Sequence, residues 1–217
     1  KLLVQAGDST IGIDVETDVA GEKPNQMKDA LVGIGISIGD DCYYGEYNFL
    51  PWREMLARRL PAVSWVGHNA IYDLSVLRRY GITPGTLAGD GRLAAYVLGE
   101  PGAGLKPLVG RHFAVQMITY DEVVGTGKNR LAISEIDPER VAEYCCGYAY
   151  WGVRIEEYLR WRLRERQREL YERVELPRVG LLVDMQLEGI ALDISAAQQA
   201  HESTLGAMDT LAATVNE

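Results

Sequence analysis

No stretch of this chain approaches the run of about 18 apolar residues that a membrane-spanning helix needs, so a membrane-embedded protein is excluded and a soluble one is expected. The opening residues, KLLVQAGDSTIGIDVET, hold no apolar core followed by a small-residue cleavage site, and no secretory signal is read there. Cysteine is scarce. Cys42, Cys145 and Cys146 are odd in number and two are adjacent, which frames no disulfide scaffold and matches no zinc-ligand spacing. A reducing, cytoplasmic setting is therefore expected. Internal repeats and low-complexity tracts are also missing. Basic charge is in short supply: the net charge of the 217 residues is −9, which argues against a protein that coats nucleic acid nonspecifically. It leaves room for a cleft that grips one strand end.

The charge is unevenly spread. Residues 1–150 carry −5, residues 151–173 carry +2 and residues 174–217 carry −6. The basic block mixes signs at helical spacing, as a solvated helix with internal ion pairs does. Length and composition suit one α/β domain with an appendage. STIGIDVET, ALVGIGISIG and CYYGEYNF read as strands of an antiparallel meander, and AVSWVGHN as a short buried strand. PWREMLARRL, NAIYDLSVLRRYG, DGRLAAYVLG and GLKPLVGRHF read as helices, the second with Asn69 at its N-cap position. TYDEVVGTGKNRLAISEID reads as a loop. Asp137-Pro138 opens a long helix through QREL, and after a composition shift near Pro177 come an apolar helix, a stop at Gly189 and a last helix that reaches Glu217 without a closing signal. The chain reads as cut from a longer protein.

Three pairs of residues carry candidate chemistry. Asp14 and Glu16, two apart on a strand, share a face. Adjacent carboxylates repel, and a divalent cation with hard oxygen ligands relieves the repulsion; a solvated strand end is the plainer alternative. Asn69 and Asp73, four apart, share a helix face, with a simple cap as the alternative for Asn69. Tyr144 and Tyr148 share another helix face, where packing is the plainer reading.

The order of these motifs, strand D-x-E, helix N-x-x-x-D, helix Y-x-x-x-Y, resembles the DEDDy nucleases, in which four carboxylates hold two metal ions and a tyrosine positions the attacking water. DGRLAAYVLGEP, ITYDEVVGTGKNRLAISEIDPERVAEY and ELPRVGLLVDMQLEGIALD are further similar to the proofreading domain of bacterial family A DNA polymerases, running into the polymerase domain. The resemblance covers nearly the whole chain. It implies an α/β fold with a mixed, mostly five-stranded sheet flanked by helices (the ribonuclease H-like exonuclease fold) and a C-terminal helical extension. It divides the chain into an exonuclease-like domain, 1–173, and the start of a polymerase thumb, 174–217.

Carried over residue by residue, the resemblance makes Asp14, Glu16 and Asp73 ligands for Mg²⁺ or Mn²⁺, Tyr144 the water-orienting tyrosine, and His68 and Asn69 contacts for the 3′ end of single-stranded DNA. It also implies a monomer associated with the bacterial nucleoid. The fourth carboxylate belongs four residues after Tyr144, where this chain has Tyr148; a second acid, common two residues later, is replaced by Tyr150. A phenol is neutral at pH 7, so the site loses a charge and a ligand. With about 100° and 1.5 Å per residue, Glu143 lies roughly 140° around the helix from Tyr148 and Glu156 roughly 12 Å along it, so neither replaces the lost acid. The expectation is an impaired exonuclease site in a domain that serves as a platform for polymerisation. The alternative is an active metal-dependent 3′ to 5′ exonuclease, and a stand-alone RNA-processing enzyme is disfavoured by the segment after Pro177.

Overall fold

Alternation in the first strand decides the architecture. A computed structural model describes residues 10–21 and 23–215. In β1 (Ile11–Asp18) the odd residues Ile11, Ile13 and Val15 are buried on one face, while Gly12, Asp14 and Glu16 point to the other. β2 (Ala30–Ile38) pairs antiparallel with β1, and β3 (Asp41–Glu46) with β2, as the meander reading expects. β4 (Trp65–Gly67) and β5 (Leu87–Asp90) add in parallel, giving a five-stranded mixed sheet of order β3-β2-β1-β4-β5.

The helices are α1 (Leu50–Arg59), α2 (Ala70–Arg79), α3 (Gly91–Leu98), α4 (Leu105–Phe113), α5 (Tyr120–Val124), α6 (Pro138–Arg162), α7 (Glu165–Leu170), α8 (Leu176–Glu188) and α9 (Ile194–Val215). On the odd face of β1, Ile34 and Ile36 of β2 join Leu56, Leu74, Leu77, Val179 and Val183 in the main core. Besides β5, which the sequence reading lacks, two elements differ from it. TYDEV is a helix, because Thr119 and Glu122 form a reciprocal capping box. The long helix ends at Arg162, because Leu163 leaves helical geometry and buries itself in a second apolar cluster with Leu159 and Tyr171.

The chain forms two compact units, divided after Leu187. The first extends past the composition shift, since Val179 and Val183 of α8 belong to the main core. The second holds α9, introduced by Gly189 at φ +74° and by Asp193, whose carboxylate accepts from the Ala196 amide. Among the described residues, no helix is long and apolar enough to cross a membrane.

The even face of the sheet belongs to α6. Gly12 faces the Ala149 carbonyl so closely that a Cβ there would lie 2.2 Å from that oxygen and 2.3 Å from Ser37 Oγ. Ser37 Oγ itself donates to the Ala149 carbonyl at 3.0 Å. Gly12→Ala must push the helix off the strand. A loss of about 1–3 kcal/mol is expected for overpacking, or roughly 2–12 °C in melting temperature at this chain size. A calorimetric midpoint equal to that of the parent would show that α6 does not rest on Gly12.

Candidate active site

The same glycine-lined face makes the site. In the β1–β2 register Asp14 stands opposite Gly35 and Glu16 opposite Gly33, so no neighbouring Cβ crowds either carboxylate. The register slips between Glu16 and Thr17, leaving Val32 as an extra residue on β2 beside the acids. Helix α6 then lays Tyr144 and Cys145 over this strand pair. Carboxylate oxygens of Asp14 and Glu16 and the Cys145 Sγ lie within 4.8 Å of one another.

Asp73, in the first turn of α2 and buried, faces the same charges. Burial first, then the charge of Asp73, push Glu16 up to about 8. Burial followed by Glu16 raises Asp14, and burial followed by Asp14 raises Asp73. Without a cation these groups favour protons over charge.

This has a measurable consequence. A carboxyl whose pKa is raised on folding stabilises the fold fully below its unfolded value, near 4.5 for Glu16, and that contribution is lost as pH rises through the folded value near 8. In chelator, the melting temperature is expected to fall between pH 5 and pH 8, by roughly 10 °C for a loss of a few kcal/mol. Glu16→Gln flattens part of the slope, and Mn²⁺ added at pH 8 restores the midpoint. A midpoint constant across this range in chelator would remove the electrostatic argument for a cation here.

Tyr144 is buried, with burial and then Tyr148 driving its hydroxyl far above the usual phenol range, so it remains a proton-bearing donor. The Tyr148 ring packs 4.9 Å from that of Tyr144, centroid to centroid, where the fourth acid was expected. Lys106, in the first turn of α4, places its ammonium 5.4 Å from both ring centroids, and its charge draws Glu16 down, against the upward pull of burial. Glu156 is engaged elsewhere, accepting from the Tyr171 hydroxyl at 2.8 Å. Glu143 is exposed on the rim of a cavity of about 200 Å³ that Tyr144 and Tyr148 also line.

Asn69 precedes α2 in left-handed geometry, φ +78°, unusual for a residue with a side chain. Its side chain makes no cap. The cap comes from Asp90, whose carboxylate accepts from the Asn69 and Ala70 amides at 3.3 and 2.7 Å. The Asn69 side chain lines a cavity of about 380 Å³ together with Arg92, Tyr96 and Arg178. The Nε2 of His68 bonds the Ala103 carbonyl at 2.8 Å, while Nδ1 is buried without a partner. Sequence reasoning missed Cys145, Lys106 and the second role of Asp90. None of them carries a spacing signal, since each reaches the site from a different element.

Asp14 and Glu16 therefore share a glycine-lined strand pair with the Cys145 thiol, beside a buried tyrosine, and the charge of Asp73 reaches them from α2. Asp14 and Glu16, with the Cys145 thiol beside them, are donors that fit one divalent ion. Residues 4–164 match the family model described as "3'-5' exonuclease", of the DNA polymerase A type. DNA polymerase I of Chloroflexus aurantiacus is 33% identical over 178 residues, 75% of this chain and 19% of that protein. DNA polymerase I of Rhizobium leguminosarum is 31% identical over 154 residues, 67% of this chain and 15% of that protein. The chain thus spans less than a fifth of either relative. The fold is shared with Pol1 of M. smegmatis, solved with DNA primer-template and dNTP (TM-score 0.72, 20% identity, 93% of this chain and 32% of that one). It is shared as well with Brucella melitensis NrnC, solved with bound Mg²⁺ (TM-score 0.66, 19% identity, 86% and 89% of the two chains). The chain belongs to the 3′ to 5′ exonuclease family of the DNA polymerase A type.

Proposed function

We propose that this chain is the proofreading-type module of a bacterial DNA polymerase I, with an exonuclease site that has lost one arm. Asp14 and Glu16 hold one Mg²⁺ or Mn²⁺, and Asp73 faces it from α2. When bound, such an ion generates the nucleophile and neutralises developing charge on the phosphate. In a complete site the Tyr144 hydroxyl would orient the attacking water. Asn69 meets the 3′ end of a single strand, and His68 braces the loop that carries it. Residues from 174 onward begin the polymerase domain, for which the module serves as a platform in a monomeric, cytoplasmic enzyme.

One observation carries the loss: the place of the fourth carboxylate is filled by the Tyr148 ring, 4.9 Å from that of Tyr144. The second ion then has too few anionic ligands to stay. The test is release of nucleotide from a 3′-labelled single strand with Mg²⁺ and with Mn²⁺. The expected rate equals that of Asp14→Ala within error. Release that depends on Asp14 at ordinary proofreading rates would establish instead that the site is active.

A further inference from the structure

The geometry points to Cys145 as a metal ligand that joins Asp14 and Glu16 and turns this site toward a thiophilic divalent ion of the zinc class. The inference rests on the reading that Asp14 and Glu16 hold a metal. It changes which ion they hold.

Cys145 is fully buried and follows Tyr144 on α6. Its thiol lies over Gly35, the register partner of Asp14, where a Cβ would come within 2.7 Å of the sulfur. The glycine thus gives the thiol its place above the acids. Sγ is 3.5 Å from the Asp14 carbonyl oxygen and within 4.8 Å of carboxylate oxygens of both acids. In a tetrahedral site with bonds of about 2.3 Å to sulfur and about 2.1 Å to oxygen, donors stand about 3.6 Å apart, so binding draws the three donors together by up to about 1 Å.

A second observation points to a cation at this spot. Glu16 is only 6% exposed, yet among the described residues its carboxylate takes no hydrogen bond from an amide or hydroxyl and forms no ion pair. Its side-chain hydrogen bond is with Asp14, another acid. Lys106 sets its ammonium over the two tyrosine rings and acts on Glu16 through its charge, without an ion pair.

The substitution pattern sets the metal class. Tyr148 deprives the site of a hard oxygen donor, and a thiolate adds one negative charge from a soft donor. Mg²⁺ takes oxygen ligands and holds its waters, whereas Zn²⁺, Co²⁺ and Cd²⁺ accept sulfur. On binding, the sulfur–metal bond forms as the thiol proton passes to the buffer. A buried cysteine that only packs α6 against the sheet would leave metal affinity untouched by its loss.

The test is titration of the reduced 217-residue protein with Co²⁺, followed by absorption and by calorimetry. The expected result is one bound ion with a thiolate-to-cobalt charge-transfer band. The band persists in Cys42→Ser/Cys146→Ser, is lost in Cys145→Ser, and is displaced by equimolar Zn²⁺ but not by a hundredfold excess of Mg²⁺. Zinc affinity falls at least about tenfold in Cys145→Ser, as loss of a ligand or its support does elsewhere. The band in Cys42→Ser/Cys146→Ser, where Cys145 is the one remaining thiol, decides the matter even if the Cys145→Ser variant fails to fold. Co²⁺ bound in an Asp14-dependent way without the band overturns the role of Cys145 and leaves the metal site standing. No bound Co²⁺, Zn²⁺ or Mn²⁺ overturns both.

Discussion

Tyr148→Asp is expected to raise metal-dependent release of nucleotides from a DNA 3′ end by at least about a hundredfold over the parent chain. Tyr144 already packs on the position, and an aspartate four residues after Tyr144 projects from the same helix face. Metal activation of water and neutralisation of developing charge are each worth several kcal/mol, and every 1.36 kcal/mol is tenfold in rate. The cost falls on packing. Tyr148 touches both the second and third apolar clusters and its ring lies 4.9 Å from that of Tyr144, so a loss of about 2–3 kcal/mol is expected from truncating a partly buried aromatic. Part of this returns, because the Lys106 ammonium, 5.4 Å from the Tyr148 ring centroid, gains a carboxylate in reach. The assay uses a 3′-labelled single strand with Mg²⁺ or Mn²⁺, and Tyr148→Asp/Asp14→Ala must be silent. A folded Tyr148→Asp protein that binds the strand and releases nothing would mean that the site has decayed beyond this one residue.

What the sequence disclosed follows the range of each signal. Strict alternation made β1 and its two carboxylates readable, because period two is a local property of eight residues. β5 was not readable: LAGD is four residues long and becomes a strand only by pairing with β4, Trp65 to Leu87 and Gly67 to Asp90. The helix at Thr119 had a legible box, Thr119 with Glu122, but the glycines at 125 and 127 read as loop. The break after Arg162 has no glycine or proline to announce it. It depends on Leu163 finding the second cluster, a tertiary event. At the site, spacing exposed Asp14 with Glu16, while Asp73 and Tyr144 gained meaning only from the order of motifs. Cys145 and Lys106 are single residues whose positions depend on how α6 and α4 dock, so no spacing could disclose them.

Asp90 is the residue whose loss is expected to cost the fold most. Its carboxylate accepts from Asn69 and Ala70 at the start of α2, and from Arg92 and Leu93, at 2.8 and 3.0 Å, at the start of α3. One buried side chain thus caps two helices and locks the left-handed Asn69 between them. The sequence showed Asp90 only as the opening of a helix; its second client lies twenty residues earlier in the chain. Capping losses run about 0.5–2 kcal/mol per helix, and the Ala70 amide, whose bond to Asp90 is buried, is left without its acceptor. Asp90→Ala is therefore expected to cost about 2–4 kcal/mol and, at about 2–4 °C per kcal/mol for this size, to lower the melting temperature by roughly 4–16 °C. Asp90→Asn keeps one acceptor oxygen and turns the other position into a donor, so it falls between the parent and alanine. Because α2 also carries Asp73, both variants should loosen divalent-metal binding in the order of their melting temperatures. Hydrogen exchange offers the sharper reading, since the amides of Ala70 and Leu93 should lose protection together, from two helices at once. If only the α3 amides exchange faster while Ala70 remains protected, Asp90 serves one helix, and the coupling between the Asn69 loop and α3 is absent.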